Sequence, residues 1–538
     1  MRTPLIAAVV LSVSCGGKNL SQEPPRLDSS PWLLTLERTE ATRSGGPLRA
    51  HRLRDGQVVS ELLDPSATLA PSWSPSRRWM AYPTAAGADG SAFRLRHFDG
   101  ERWGEPITFV TPGGEGATSA SRSMAWSRTR DWFLTRTATG FVVAIPHEDG
   151  SIATKPLSVE NALSVWWSTE GDRIIVMHGG SSSPETPERR ASVFEVSDGP
   201  EPITRLLEIA PPEGMTFDDV DSGHDETGIP NGSISGDERW IVFVVKRGAD
   251  DTAKAFYAFP TTGEAPPHVL EGCVASWRSG TPNPGGDLCR PESWQPGSGT
   301  LLFMRSRPGM GTTLDAWTPS TDTVATLGNR RSHGWIGPAR SLLLTQEEGS
   351  KALSAIELRD GSAPLVTPLP TTELASFQRA TPSYDDGRWV ILTHVDRPSN
   401  ESWLTTVDLA SPTGSWNARE IHRGSIEVER QGFFWSPGGT FILIAEPQPR
   451  IPSAVARGTR IDIATGAAST IEIDLSSPDG GKVPPSWQWQ HRIAYDDRTI
   501  AIPHDGSLAL WRMDAPKETA AKLEGVSADA IVRWVLVP

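Results

Sequence analysis

Two stretches carry the same phrase: PSWSPSRRWMAYP at 71–83 and FFWSPGGTFILIAEP at 433–447. Each sets an aromatic residue before Ser-Pro, then a turn, then a short apolar run of strand character. Looser copies stand at 124–137, 165–179, 232–247, 292–307, 333–346, 382–395 and 485–497. The anchoring position of the phrase falls at 73, 126, 167, 234, 294, 335, 384, 435 and 487, a recurrence of about 52 residues. A second landmark lies downstream of many anchors. It is an Asp-Gly or Thr-Gly pair between strand-like runs, at 99, 149, 198, 262, 360, 465 and 505. Such pairs favour hairpins because glycine accepts a positive φ that other residues resist.

The two landmarks divide each repeat into strand, turn, strand, strand, turn, strand. That is one four-stranded antiparallel sheet. A lone sheet of this kind leaves both faces wet, so equivalent sheets must stack around an axis. The expectation is an all-β chain forming a single closed β-propeller of about eight four-stranded blades, with seven to ten, or two smaller rings, as the other counts the spacing allows. The phrase Trp73-Ser74-Pro75 with Met80-Ala81-Tyr82, and Trp435-Ser436-Pro437-Gly438-Gly439 with Ile442-Leu443-Ile444, resembles the TolB-like and WD-repeat-like β-propeller families. The resemblance spans residues 32–538. It implies the fold and leaves activity open, because that repeat serves many functions.

Residues 32–63 hold three strand-like runs with no anchor before them, and 530–537 holds one run with nothing after it. The terminal strands are therefore expected to share one blade, which removes an exposed sheet edge. The chain has 21 Trp against 4 Tyr. Indoles at the anchors suit the wedge between neighbouring sheets. Trp103, Trp317, Trp403 and Trp416 fall outside the phrase and are the expected exposed ones.

The N-terminus reads as an address. Arg2 and the apolar run from Leu5 to Val13 form a secretory signal over 1–14, too short to span a bilayer. Ser14-Cys15-Gly16 resembles the lipobox of bacterial lipoproteins, with Leu11 one place earlier than usual. The resemblance implies lipidation at Cys15, a polar tether over 15–31, and attachment of an exported body to the outer membrane. In an oxidising compartment Cys273 and Cys289 are expected to form a disulfide.

Chemistry is sparse. The net charge of −14 and pI near 5.4 disfavour a nucleic-acid partner. No run of 18 apolar residues follows the N-terminus. The chain lacks G-x-S-x-G, H-E-x-x-H, a Walker loop and G-x-G-x-x-G. An acidic stretch at 218–226 offers Asp219, Asp221 and Asp225 as possible calcium ligands, but the order of a full calcium loop is missing. A solvated loop is the better reading, and no cofactor is expected. The widest anchor spacings, 167 to 234 and 234 to 294, place the largest insertions beside the disulfide. Long insertions on a rigid scaffold are where binding usually sits. The leading expectation is a non-catalytic module binding a protein or glycan of the cell envelope, with the lipid anchor as its sole membrane contact. The alternative is an enzyme, a polysaccharide lyase or glycosidase, with carboxylates from several blades converging in the central channel.

Overall fold

A computed structural model of the chain describes residues 32–535. The main exceptions are 38–44, 111–124, 180–189, 218–232, 247–253, 276–286, 371–376, 426–432, 446–454, 475–497 and 514–520, together with shorter turns. Within these bounds the chain is built of sheets in sequence order, antiparallel except where Val274–Ala275 pairs with Leu288–Trp294. Sheet 1 contains Trp32–Leu36, Gly46–Arg54 and Gln57–Ala67. Its fourth strand is Ile531–Val535, which pairs with Trp32–Leu36 in the register Leu34↔Arg533. The two ends of the described chain therefore lie in one sheet, as the unanchored runs predict. A single pairing, Ala67↔Thr84, links it to sheet 2, whose strands are Ser72–Trp73, Trp79–Gly87, Gly90–His97 and Ile107–Val110.

Sheets 3 to 9 repeat the plan. Their first strands are Ala125–Trp126, Ala162–Trp167, Ser233–Ile234, Leu288–Trp294, Arg330–Ile336, Phe377–Pro382 and Phe433–Trp435. Sheet 10 shows Thr499–His504, Ser507–Arg512 and Ala521–Ser527, and the anchor phrase at 485–497 lies outside the described residues. The described residues thus carry ten sheet units, the top of the seven-to-ten range. This is the β-propeller architecture, with the first strand of sheets 3, 4, 7, 8 and 9 at one end of its strand order and Val274–Ala275 lying beyond the first strand in sheet 6.

Apolar clusters join successive sheets. One cluster unites sheets 1 and 2 through Leu34, Leu48, Met80 and Trp103. Others join 2 to 3, 3 to 4, 4 to 5, 5 to 6, 6 to 7, 7 to 8 and 8 to 9. Sheet 10 meets sheet 1 through Leu508, Leu510, Leu523 and Leu33. Two separate rings would break this succession where the chain leaves one ring for the other, and no break occurs from sheet 1 to sheet 9. The second strand of each sheet packs on both faces. Trp240–Lys246 is accordingly an almost unbroken apolar run rather than an alternating one.

The recurring phrase earns its sequence at the first turn. Ser74, Ser127, Ser168, Ser235 and Ser436 are buried, each just past an anchor. In each turn the Ser backbone N–H donates to the carbonyl five residues on, as in Ser74 to Trp79 and Ser436 to Phe441. The Ser hydroxyl accepts from the backbone N–H groups of the returning chain: Trp79, Arg130, Arg173, Trp240 and Phe441. A short polar side chain thereby satisfies donors that the tight turn would leave unmade. Glycine enters for space as well. A Cβ on Gly236 would stand 2.4 Å from the Gln295 carbonyl oxygen and 2.6 Å from the Gly297 nitrogen, so the first turns of sheets 5 and 6 can touch.

Anchor indoles also fasten neighbouring sheets. Trp167 Nε1 donates to the Ala125 carbonyl, Trp294 Nε1 to Ser233 Oγ and Trp335 Nε1 to Ser293 Oγ. Each acceptor stands one residue before the preceding sheet's anchor.

The four tryptophans outside the phrase are not exposed. Trp103 is 6% exposed, Trp317 0%, Trp403 2% and Trp416 5%. The reason is geometric: sheets radiating from an axis diverge outward, so the third strands and the connections beyond them face a wider gap. Trp103 fills it between sheets 1 and 2, Trp317 between 5 and 6, and Trp416 between 7 and 8.

Candidate functional site

Strand direction sorts the connections onto two edges. First-to-second and third-to-fourth turns emerge on one edge, and most are short. Among them are the Asp-Gly and Thr-Gly turns at Asp99, Asp149, Asp198, Thr262 and Thr465, which lie between third and fourth strands as hairpins. Second-to-third connections and the crossings to the next sheet emerge on the opposite edge. Segments 180–189, 247–253 and 276–286 begin and end at that edge, whereas 218–232 interrupts the first strand of sheet 5, between Thr216–Phe217 and Ser233–Ile234, both of which pair with Trp240–Lys246. The polar insertion and the disulfide-bracketed insertion therefore leave from the same edge, at sheets 4 and 6, and the acidic insertion leaves from within the first strand of sheet 5. Asp219, Asp221 and Asp225 lie outside the described residues, as does Cys15. Among the described residues no group of three His, Cys, Asp or Glu side chains is placed to hold a metal ion.

Cys273 and Cys289 are bonded, with Cα atoms 5.5 Å apart. The bond clips Val274–Ala275 to Leu288–Trp294, the first strand of sheet 6, against which it runs parallel. Both ends of the 276–286 segment are thereby fixed at the loop-bearing edge. Beside Cys289 in register stands Arg305, whose guanidinium lies 3.1 Å from the fully buried Asp315 carboxylate and over the Phe303 ring. Arg290 pairs with Glu292 at 2.7 Å and Arg307 with Asp287 at 3.3 Å.

Sheet 4 presents His178 at the end of Arg173–His178 and Arg190 at the start of Arg190–Glu195. His178 Nε2 lies 2.8 Å from Ser192 Oγ, and Arg190 and Arg205 both grip Glu208. The Arg190 hydrogen bond holds the Glu208 carboxyl below the usual carboxylate range, and burial pushes the His178 imidazole down. Sheet 8 repeats the arrangement. His394 lies parallel to the Trp403 ring at 5.1 Å, and Arg423 sits over that ring at 4.7 Å. Arg423 also reaches Glu420 at 2.7 Å and Glu401 at 3.3 Å. Burial lowers His394 to about 4, and the Arg423 hydrogen bond lowers Glu420. His333 of sheet 7 stands 3.4 Å from Gln346 and is also pushed down by burial.

The arrangement has a definite chemistry. Glu208 and Glu420 are ionised and already gripped by guanidinium groups, while the imidazoles are neutral. Fixed charge pairs and neutral rings suit recognition of polar surface. General acid catalysis instead needs a carboxyl raised toward neutrality. Glu61 is raised, by burial, but it lies on the outermost strand of sheet 1, far from the inner strands. Sequence motifs could not reveal the His394–Trp403–Arg423 group, because its members come from three strands and are 9 and 20 residues apart.

No family model matches the chain, and no curated protein matches it in sequence. Solved structures do. A eukaryotic initiation factor is similar at 12% identity and a TM-score of 0.42, over 85% of this chain and 99% of that one. Oligogalacturonate lyase in complex with manganese is similar at 10% identity and 0.31, over 77% and 93%. TolB from Acinetobacter baumannii is similar at 13% identity and 0.22, over 74% and 80%. The chemistry of those proteins does not transfer to this chain at such values.

Proposed function

We propose that the protein is a non-catalytic β-propeller module held at the bacterial outer membrane by lipid on Cys15, binding a protein or glycan of the envelope. The observation that carries the reading is that the long polar and disulfide-clipped segments leave one edge of sheets 4 and 6, with the acidic insertion leaving the first strand of sheet 5 between them. A rigid stack of sheets holds that edge, and the charged groups beside it are paired and preorganised, which lowers the ordering cost of association.

Two measurements test the reading. Crosslinking in the envelope should recover a stoichiometric partner with the full chain and lose it when 181–190 is replaced by a Gly-Ser stretch of equal length. Turnover of a polysaccharide by the purified body, with no partner recovered, would favour a channel enzyme instead. The anchor is tested separately: Cys15→Ser should move the protein from the membrane to the soluble fraction, and unchanged attachment would reject lipidation.

A further inference from the structure

The contact between the first and last sheets contains a polar chain in an otherwise apolar seam, buried at Thr35 and His51 and exposed at Ser60. His51, wholly buried, lies in Gly46–Arg54, the third strand of sheet 1. Its Nε2 is 2.9 Å from Thr35 Oγ1, and its Nδ1 is 2.8 Å from Ser60 Oγ. The chain thus crosses three strands. The registers Leu33↔His51 and His51↔Ser60 put these side chains on the face that bears Leu33 and Val58. That face packs against Ala501, Leu508, Leu510, Leu523 and Val526 of sheet 10. Val532, on the C-terminal strand, joins the same cluster.

Among the described residues, the charged groups facing this seam are few. Arg49 stands on the same face as His51 and lies 3.5 Å from Glu37. Arg512 stands on that face of sheet 10, at the far end of Ser507–Arg512. Glu61 points to the opposite face, toward Arg96. Beside burial, the charge that bears on His51 is that of Arg49, so a charged imidazole would meet apolar side chains and a like charge.

We propose that this contact is an acid-labile seam, latched by the Thr35–His51–Ser60 chain and opened when His51 takes up a proton. A neutral imidazole needs one donor and one acceptor, which two hydroxyls supply by rotating. The imidazolium brings a charge into a wholly buried ring that faces two hydroxyls and, among the described residues, no carboxylate. Opening would free the C-terminal strand from Trp32–Leu36 and separate sheet 10 from sheet 1, leaving sheets 2 to 9 stacked. This inference is independent of the binding role proposed above.

The test is regional hydrogen exchange of the full chain, measured by mass spectrometry from pH 7 to pH 3.5 and corrected for intrinsic rates. Burial with the Arg49 charge holds His51 near 4 against an ordinary 6.5. Opening of the segments 32–36 and 531–535 should therefore begin to rise below about pH 6.5, toward a limit of about 300-fold below pH 4. His51→Gln should flatten that rise. Arg49→Gln, a substitution at a half-buried side chain that leaves the latch in place, should make the rise shallower. An identical rise in Arg49→Gln, or loss of protection in sheets 4 and 5 at or above the pH at which sheet 1 opens, would overturn the proposal.

Discussion

Replacing Ser436 by alanine isolates what the repeated phrase does. The Ser436 side chain is buried, and its hydroxyl accepts hydrogen bonds from the backbone N–H groups of Thr440 at 3.1 Å and Phe441 at 3.2 Å. Alanine leaves two donors without that acceptor. A buried donor left unmade costs about 1–3 kcal/mol, and Thr440 is partly reachable by water. The expected loss is therefore about 2–4 kcal/mol, of which the removed oxygen's packing is a small part. Ser235→Ala is the internal comparison, because there the hydroxyl accepts one backbone N–H, that of Trp240 at 3.0 Å, and donates to Asp237 Oδ1 at 2.5 Å. Its expected loss is of similar size, about 2–4 kcal/mol, since a bond to a charged group goes with it. Denaturant unfolding followed by tryptophan fluorescence gives the global cost. Hydrogen exchange of the peptide covering 433–445 shows whether the turn itself has loosened. Both variants within about 0.5 kcal/mol of the parent, with the 433–445 amides still protected, would refute the capping role and leave the phrase unexplained.

Further expectations follow from the packing and the titrating groups. Trp317→Ala should cost about 3–5 kcal/mol in unfolding free energy, the range for a deleted core aromatic; a near-neutral result would mean the indole does not fill the wedge between sheets 5 and 6. Acid should weaken the fold through His394. Its folded value of about 4 lies below the unfolded 6.5, so the unfolded chain binds the proton first. Stability should fall as pH drops through 6.5 and level off below about 4, by about 3 kcal/mol at the limit. His394→Gln should remove that part of the slope, as read from urea midpoints at several pH values. Cutting the Cys273–Cys289 bond with Cys273→Ser/Cys289→Ser should cost about 3 kcal/mol, the chain-entropy value for a loop of this size. Limited proteolysis of the double variant should then cleave within 274–288 faster than elsewhere at the loop-bearing edge.

Much of the architecture was written locally. Trp73-Ser74-Pro75 and Trp435-Ser436-Pro437 mark the turn that follows a first strand, and Asp99-Gly100 or Asp149-Gly150 mark the hairpin before a fourth. Both are short-range backbone requirements, so single residues declare them. The pairing of Trp32–Leu36 with Ile531–Val535 was also legible, because a three-strand start and a one-strand end leave complementary deficits. The burial of Trp103, Trp317, Trp403 and Trp416 is not legible in the sequence, because position relative to the phrase says nothing about how far apart two sheets stand at their outer strands.

From the sequence by itself came the repeat, the strand order within each sheet, the pairing of the ends and the absence of the familiar catalytic motifs. These depend on contacts within one repeat, or on counting. Tertiary structure alone decided that the described residues form ten sheet units, with sheets 1 to 9 packed in unbroken succession, that the polar and disulfide-bracketed insertions leave from one edge, and that His51 lies in the seam between the first and last sheets. Each of those facts depends on which face a strand turns toward a neighbour hundreds of residues away, and side-chain alternation reveals that face only once the sheets are stacked.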